Sequence, residues 1–436
     1  MFIGLSEVDN QIPDLRAVPM IDRLKKIVQS DHAAVILVWS CLLLEPFGRM
    51  VELPMALMAL AGLILVAKGG RELFWRGGGR LFTILFLLIW VPMLLSLPQA
   101  FRPSITALNI LVYLRFYLAG LFVVATMGDP KRQRLLLRLS AWLLLFWVAD
   151  ALVQAVHGVD LFGYVKLDPR HLNGVFGRHL HLGVYLAVFS ALLLVHARRF
   201  WRPWAQLASF AATAVVVLLA GSRGGWINFG LILAAYFVFL LGENRRLALR
   251  LAAGVALVLA LGAAVSYRYA PGFDARVRQS LLVFKGDKRD INQAISGRVP
   301  IWTVSLKMFA THPLTGVGAC SYRYAYPKYA APGDSFYMKK TGASHPHQIL
   351  LETMSETGAI GLAGLLIFFA VLIGAWQRTG REGRRRMLPY GLALLGALFP
   401  INTGFALYSA IWGQVIFWFV SLYVASGQAI EPGGHG

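Results

Sequence analysis

The sequence predicts an all-α polytopic membrane protein with about twelve transmembrane helices and one large external loop between helices nine and ten. Three observations carry this. The chain is 57% hydrophobic and only 14% charged, with mean hydropathy +0.61, whereas soluble domains carry roughly 25% charged residues. Apolar runs near the ~20 residues that a hydrocarbon-spanning helix needs recur along the whole chain. Basic residues collect in alternate short connections.

The apolar runs lie near 33–47, 51–67, 81–97, 105–126, 134–156, 180–196, 205–220, 224–241, 248–266, 347–375, 387–403 and 407–427. Every even-to-odd connection is basic. Lys68, Arg71, Arg76 and Arg80 follow the second run, and Lys131, Arg132, Arg134 and Arg138 the fourth. Arg198, Arg199 and Arg202 follow the sixth, Arg245, Arg246 and Arg250 the eighth, and Arg378, Arg381 and Arg384 to Arg386 the tenth. The positive-inside rule assigns these loops and both termini to the cytoplasm. Three parts follow: helices one to nine over 1–266, an external loop domain with short helices over 267–346, and helices ten to twelve over 347–436.

The net charge of +21 would suggest nucleic acid in a soluble chain. Here cytoplasmic basic loops explain it, so no nucleic-acid partner is expected. Cys41 falls in a span and Cys320 in the external loop, so no disulfide is expected. The first ~30 residues are polar and broken by Pro13 and Pro19, unlike a cleavable signal.

The loop over 267–346 is too long and patterned for a linker. Ile301 to Phe309 has helical apolar spacing, which predicts a short amphipathic helix. The loop carries twelve Lys/Arg against four Asp and no Glu. A long translocated loop escapes the positive-inside rule, so the excess is either incidental or, as the sharper reading, an anion-binding surface.

Candidate chemistry gathers at the external face. Gly221-Ser222-Arg223-Gly224-Gly225-Trp226 makes a tight turn between runs seven and eight. Its glycines let a ligand approach the backbone, and the guanidinium of Arg223 suits phosphate. A helix-end arginine that merely snorkels is the bland alternative, but the outer face is the wrong side for a basic anchor. Ser296-Gly297-Arg298 precedes the amphipathic stretch and Trp302, while His312 to Gly318 reads as a structural turn. Ser344-His345-Pro346-His347-Gln348 leads into the tenth run. Pro between the two histidines, with no nearby carboxylate or cysteine, argues against a metal site. Glu352 and Glu356 sit one helical turn apart; one of them is a candidate to pair with an arginine or to orient His347, and the sequence does not choose between these roles. Arg178, His179 and His181 add positive charge outside. Arg115, inside the fourth run, is expected either to be paired structurally, with Asp150 as the candidate partner, or to line a polar cavity; the structural pairing is the favoured reading. The catalytic candidates are thus His347, Arg223 and Arg298, and the substrate-binding candidates are Arg178, His181, His345, Gln348 and Ser222.

Together the 221–226 turn, Ser296-Gly297-Arg298 with Trp302, and His347 followed by Leu351, Glu356, Gly358, Gly361 and Leu362 resemble the O-antigen ligase family, which also contains O-antigen polymerases and protein O-oligosaccharyltransferases. The motifs run from about 205 to 365. One departure is Gln348, where such proteins often have Asn; the amide is kept. The resemblance implies a GT-C-like fold. It implies transfer of a polysaccharide from undecaprenyl diphosphate to a sugar hydroxyl of lipid A–core, at the periplasmic face of the bacterial inner membrane. It implies essential roles for Arg223, Arg298 and His347, and no metal, nucleotide or other cofactor.

The residues' own chemistry agrees. An imidazole titrates near neutral pH and suits a general base, and two arginines suit a leaving diphosphate. A second division of roles leaves His347 only hydrogen-bonding the phosphate. A transporter of lipid-linked sugars is the rival from another class; it needs polar groups spread through the bilayer, whereas the charges here lie at one face.

Overall fold

The computed structural model describes residues 31–428 except 70–71, 76, 168–170, 178, 180, 270–272, 338–340 and 401–403. The amino-terminal 30 residues, discussed above as a possible signal, lie outside the described residues. No strand occurs among those described; Val159 and Val165 form an isolated bridge.

Each of the twelve apolar runs is a helix. These are α1 (Asp31–Leu44), α2 (Glu52–Gly69), α3 (Gly77–Ser96), α4 (Pro103–Thr126), α5 (Pro130–His157), α6 (Leu182–Phe200), α7 (Pro203–Leu219), α8 (Arg223–Glu243) and α9 (Arg245–Tyr269). After the long connection, with its short helices α10 (Phe273–Leu281), α11 (Lys288–Ala294), α12 (Val299–Thr311) and α13 (Tyr322–Tyr329), come α14 (Ile349–Arg378), α15 (Arg381–Leu398) and α16 (Ala410–Gly427). The amphipathic stretch expected near 301–309 is α12.

Among the described residues, length and composition qualify eight helical stretches to cross a membrane. The first joins α1 and α2 into His32–Lys68, where a 3-10 turn over Glu45–Val51 bends at Phe47 and Gly48. α7 and the apolar part of α9 are shorter. α15 begins six residues before the expected run, because the arginine-rich stretch from Arg381 to Arg386 is itself helical.

Local signals set several ends. Asp129 accepts the N–H of Lys131 with Pro130 in the first turn, and Gly158 closes α5 at φ 81°, which permits a 28-residue helix. Ser222, Gln348 and Ser409 cap α8, α14 and α16 with their side chains. Apolar side chains cover α6 and α16 on all sides, and both helices are mostly buried in the bundle. Outer helices instead show leucines such as Leu53, Leu108, Leu111 and Leu366 to the surroundings. That pattern suits hydrocarbon and is costly in water.

α14 is broken at Gly358, whose φ of 68° and ψ of −158° interrupt the helix. The broken turn interlocks with the 312–318 segment. Ala359 donates to Pro313 O at 2.8 Å, Val317 to Ser355 O at 2.9 Å and Gly318 to Glu356 O at 2.9 Å. Irregular backbone beside a membrane span must be satisfied by protein in this way. A Cβ on Gly358 would meet the Leu314 carbonyl. The 312–318 turn is structural, as its Pro and Gly content suggested.

Candidate functional site

The site is assembled from three chain turns. Ser222 ends the α7–α8 turn and accepts the Gly225 N–H at 3.2 Å, starting α8 with Arg223 as its first residue. A Cβ on Gly225 would lie 2.7 Å from the Gly183 carbonyl oxygen. The bare glycine therefore lets α8 dock tightly on α6, which fixes where Arg223 emerges.

The second turn follows α11. Ser296 and Gly297 both adopt positive φ, 64° and 72°, and Gly297 N–H returns to Asn292 O at 2.7 Å. Ser296 would ordinarily disfavour this conformation. Here its hydroxyl accepts a hydrogen bond from Arg223, whose other terminal nitrogen donates to Ala294 O at 2.6 Å. Arg223 thus clamps the reversal that delivers Arg298 to the start of α12. Burial, then the Arg223 charge, pulls the Arg298 pKa below its usual value. The two guanidiniums therefore sit within electrostatic reach of each other.

The third turn enters α14. His347 has φ 55°, its N–H donates to His345 Nδ1 at 3.1 Å, and the two rings lie 4.0 Å apart. Trp302 of α12 donates its indole N–H to Pro346 O at 3.2 Å, tying this turn to Arg298's helix. Gln348 accepts from the Leu351 N–H. Burial, then His347 and Arg298, pushes the His345 imidazole down to about 3, so it is neutral near pH 7.

These turns border a cavity of about 950 Å³ lined by Ser222, Arg223, Arg298, Trp302 and Gln348, with His171 and Arg276 opposite. Arg276 lies 3.1 Å from the His171 ring. Among the described residues, the lining holds three arginines and one histidine and no carboxylate. Like charges gathered in a partly dry cleft attract anions.

Of the predicted site residues, Arg223, Arg298, Ser222 and Gln348 come together around one cavity. His345 and His347 are not among its lining residues; they lie just before Gln348, in the turn that Trp302 holds through Pro346 O. His181 does not line the cavity; its ring packs near Tyr185 and Trp412. Arg178 lies outside the described residues. Sequence reasoning missed His171 and Arg276. Arg276 was signalled only by the basic excess of the 267–346 loop, which names no residue, and His171 lies outside that loop.

Two expectations are answered by other partners. Glu352 is buried and accepts the N–H groups of Leu407 and Tyr408 at 2.9 and 3.1 Å. Glu356, also buried, accepts Cys320 N–H at 2.6 Å. These carboxylates stitch α14 to the segments beside it. Arg115 pairs with Glu52 at 2.6 Å, while Asp150 accepts Leu161 N–H at 2.9 Å. Both cysteines are free thiols.

The comparisons with known proteins cover this region. Residues 207–366 match the model of the O-antigen ligase family. The chain is also similar to the exopolysaccharide production protein ExoQ of Rhizobium meliloti (strain 1021), at 26% identity over 269 residues, which is 57% of this chain and 58% of that protein. The aligned part thus spans less than two thirds of that relative's length. The matched segment contains Arg223, Arg298, Trp302 and His347 together with the break at Gly358; over residues 207–366 the chain is similar to the O-antigen ligase family.

Proposed function

We propose that this chain is a glycosyltransferase of the inner membrane, with about twelve spans, a GT-C-like fold and the 267–346 domain facing the periplasm. It moves a polysaccharide from undecaprenyl diphosphate onto a sugar hydroxyl of lipid A–core. The observation that supports this most is the cavity with Arg223, Arg276 and Arg298 in its wall and no carboxylate among its described lining residues, near the turn that holds the His345–His347 pair.

In this reading the arginines hold the donor diphosphate. The His347 imidazole takes the proton of the acceptor hydroxyl, and the freed oxygen attacks C1 of the donor sugar. The C1–oxygen bond to the diphosphate breaks on the opposite face, so the anomeric centre inverts. The electron pair leaves with the diphosphate, whose growing charge the guanidiniums stabilise. Proton transfer of this kind contributes ~10²–10⁴-fold in rate.

A second reading is favoured by ExoQ, whose name concerns exopolysaccharide production: the same site extends a lipid-linked polymer, with a sugar hydroxyl of another carrier-linked chain as acceptor. Purified protein mixed with undecaprenyl-diphosphate-linked glycan and lipid A–core, without ATP, separates the two. Glycosylated lipid A is the expected product. Longer carrier-linked chains would replace the ligase reading with the polymerase, and turnover of neither acceptor by intact protein would overturn both.

A further inference from the structure

A second cationic cavity, of about 850 Å³, opens at the α14–α15 turn. Glu243, the last residue of α8, binds Arg385 of α15 at 2.9 Å, whereas Arg223 is the first residue of α8. The 21 residues of that helix put the two cavities about 30 Å apart, at opposite ends of the bundle.

One wall is apolar, built from Leu81 of α3 and Ala370, Val371, Gly374 and Ala375 of α14. The other is polar, with Arg378, Arg381 and Arg386 against one carboxylate, Glu382. Glu382 is exposed and lies 4.0 Å from Arg385, and Arg381 lies 3.5 Å from Glu243. Arg386 is different. It is 9% exposed, and only its Nη2 has an acceptor, the Gln428 carbonyl at 3.0 Å. Its Nε and Nη1 are buried with no acceptor among the described residues. A buried cationic donor left unmet costs roughly 1–3 kcal/mol or more. The 18-residue helix α15 also starts here at Gly380, with no side-chain cap, and adds first-turn N–H groups and a positive dipole end. Positive-inside bias accounts for arginines that reach water, but not for one sealed in the bundle with idle donors.

We propose that this cavity binds the phosphate headgroup of an anionic phospholipid, held by Arg386, Arg378 and the amino end of α15, with an acyl chain along the α3–α14 wall. The shared chemistry is a phosphate oxyanion. The apolar wall favours a lipid over free phosphate.

The test uses the full-length chain, delipidated in neutral detergent and titrated in native mass spectrometry with phosphatidylglycerol or phosphatidylcholine of identical acyl chains. The expected result is one preferentially retained phosphatidylglycerol, weakened on the order of tenfold in Arg386→Gln and in Arg378→Gln, since a hydrogen bond to a charged group is worth at least that ratio. Arg378 is exposed, so its variant keeps the test alive should Arg386→Gln fail to fold. Equal retention of the two lipids, or undiminished phosphatidylglycerol in the folded variants, overturns the proposal. Displacement of the lipid by millimolar inorganic phosphate that itself binds would reassign the site to free phosphate.

Discussion

His345 Nδ1 accepts the backbone N–H of His347 at 3.1 Å, and the two rings lie 4.0 Å apart. The accepting nitrogen must be unprotonated, so the proton of neutral His345 is on Nε2. His345 is thus a positioning residue that holds His347 in its left-handed conformation. Replacing His345 by Ala is expected to lower kcat with little change in KM, and Asn, which keeps an acceptor, should restore part of the loss. Equal activity in all three proteins would remove the role.

The same pair predicts a pH dependence of stability. Unfolded His345 titrates near 6.5, but in the fold its imidazole is pushed down to about 3. As pH falls from about 6.5 toward 3, the unfolded chain gains a proton that the native one refuses, so stability drops across this window. A thermal-unfolding series in detergent should show the decline, and His345→Asn should flatten it. Parallel curves for the two proteins would count against the burial of this ring.

His347→Ala is expected to abolish transfer while the protein still inserts and folds, a loss of at least ~10²-fold if the ring is the general base. The check is product formation by purified variant against a matched folding control. Near-normal transfer would falsify the base assignment.

Arg223 spans the Ala294 carbonyl and the Ser296 hydroxyl. A lysine offers one point charge and cannot bridge both. Arg223→Lys should therefore lose about tenfold or more in kcat/KM, through both the diphosphate and the displaced Ser296-Gly297-Arg298 turn. Wild-type kinetics in this variant would reduce Arg223 to a generic charge.

Crowded arginines without a counter-carboxylate should be relieved by an anion. Inorganic pyrophosphate is expected to raise Tm, with about 2.7 kcal/mol of stabilisation at a hundredfold excess over Kd. Arg298→Gln should blunt that rise and raise the unliganded Tm, a trade of function against stability. Pyrophosphate-insensitive melting of the parent protein would argue against a diphosphate cavity.

Glu352→Gln probes the stitch between α14 and the Leu407–Tyr408 segment that precedes α16. The carboxylate presents acceptors to two N–H groups, and an amide would turn its own donor toward one of them. The expected cost is about 1–3 kcal/mol, read as a lower Tm.

Period and composition made the helices legible. Long apolar runs have few alternatives in hydrocarbon, and local devices such as Asp129-Pro130, Ser222 and Gly158 act within a few residues of themselves. Arg223, Arg298 and His347 were legible as candidates because their types, turns and flanking glycines mark exposed helix ends. The partners of charged groups inside the bundle were not. Arg115 takes Glu52, 63 residues away, rather than Asp150, and Glu352 reaches backbone N–H groups 55 and 56 residues on. Such pairings depend on which helix faces meet, and packing decides that over the whole chain. The cavity itself belongs to the tertiary structure: Gly225 against Gly183, the Ser296-Gly297 reversal and the Trp302–Pro346 bond bring three distant turns together, and only then do His171 and Arg276 close the ring of positive charge.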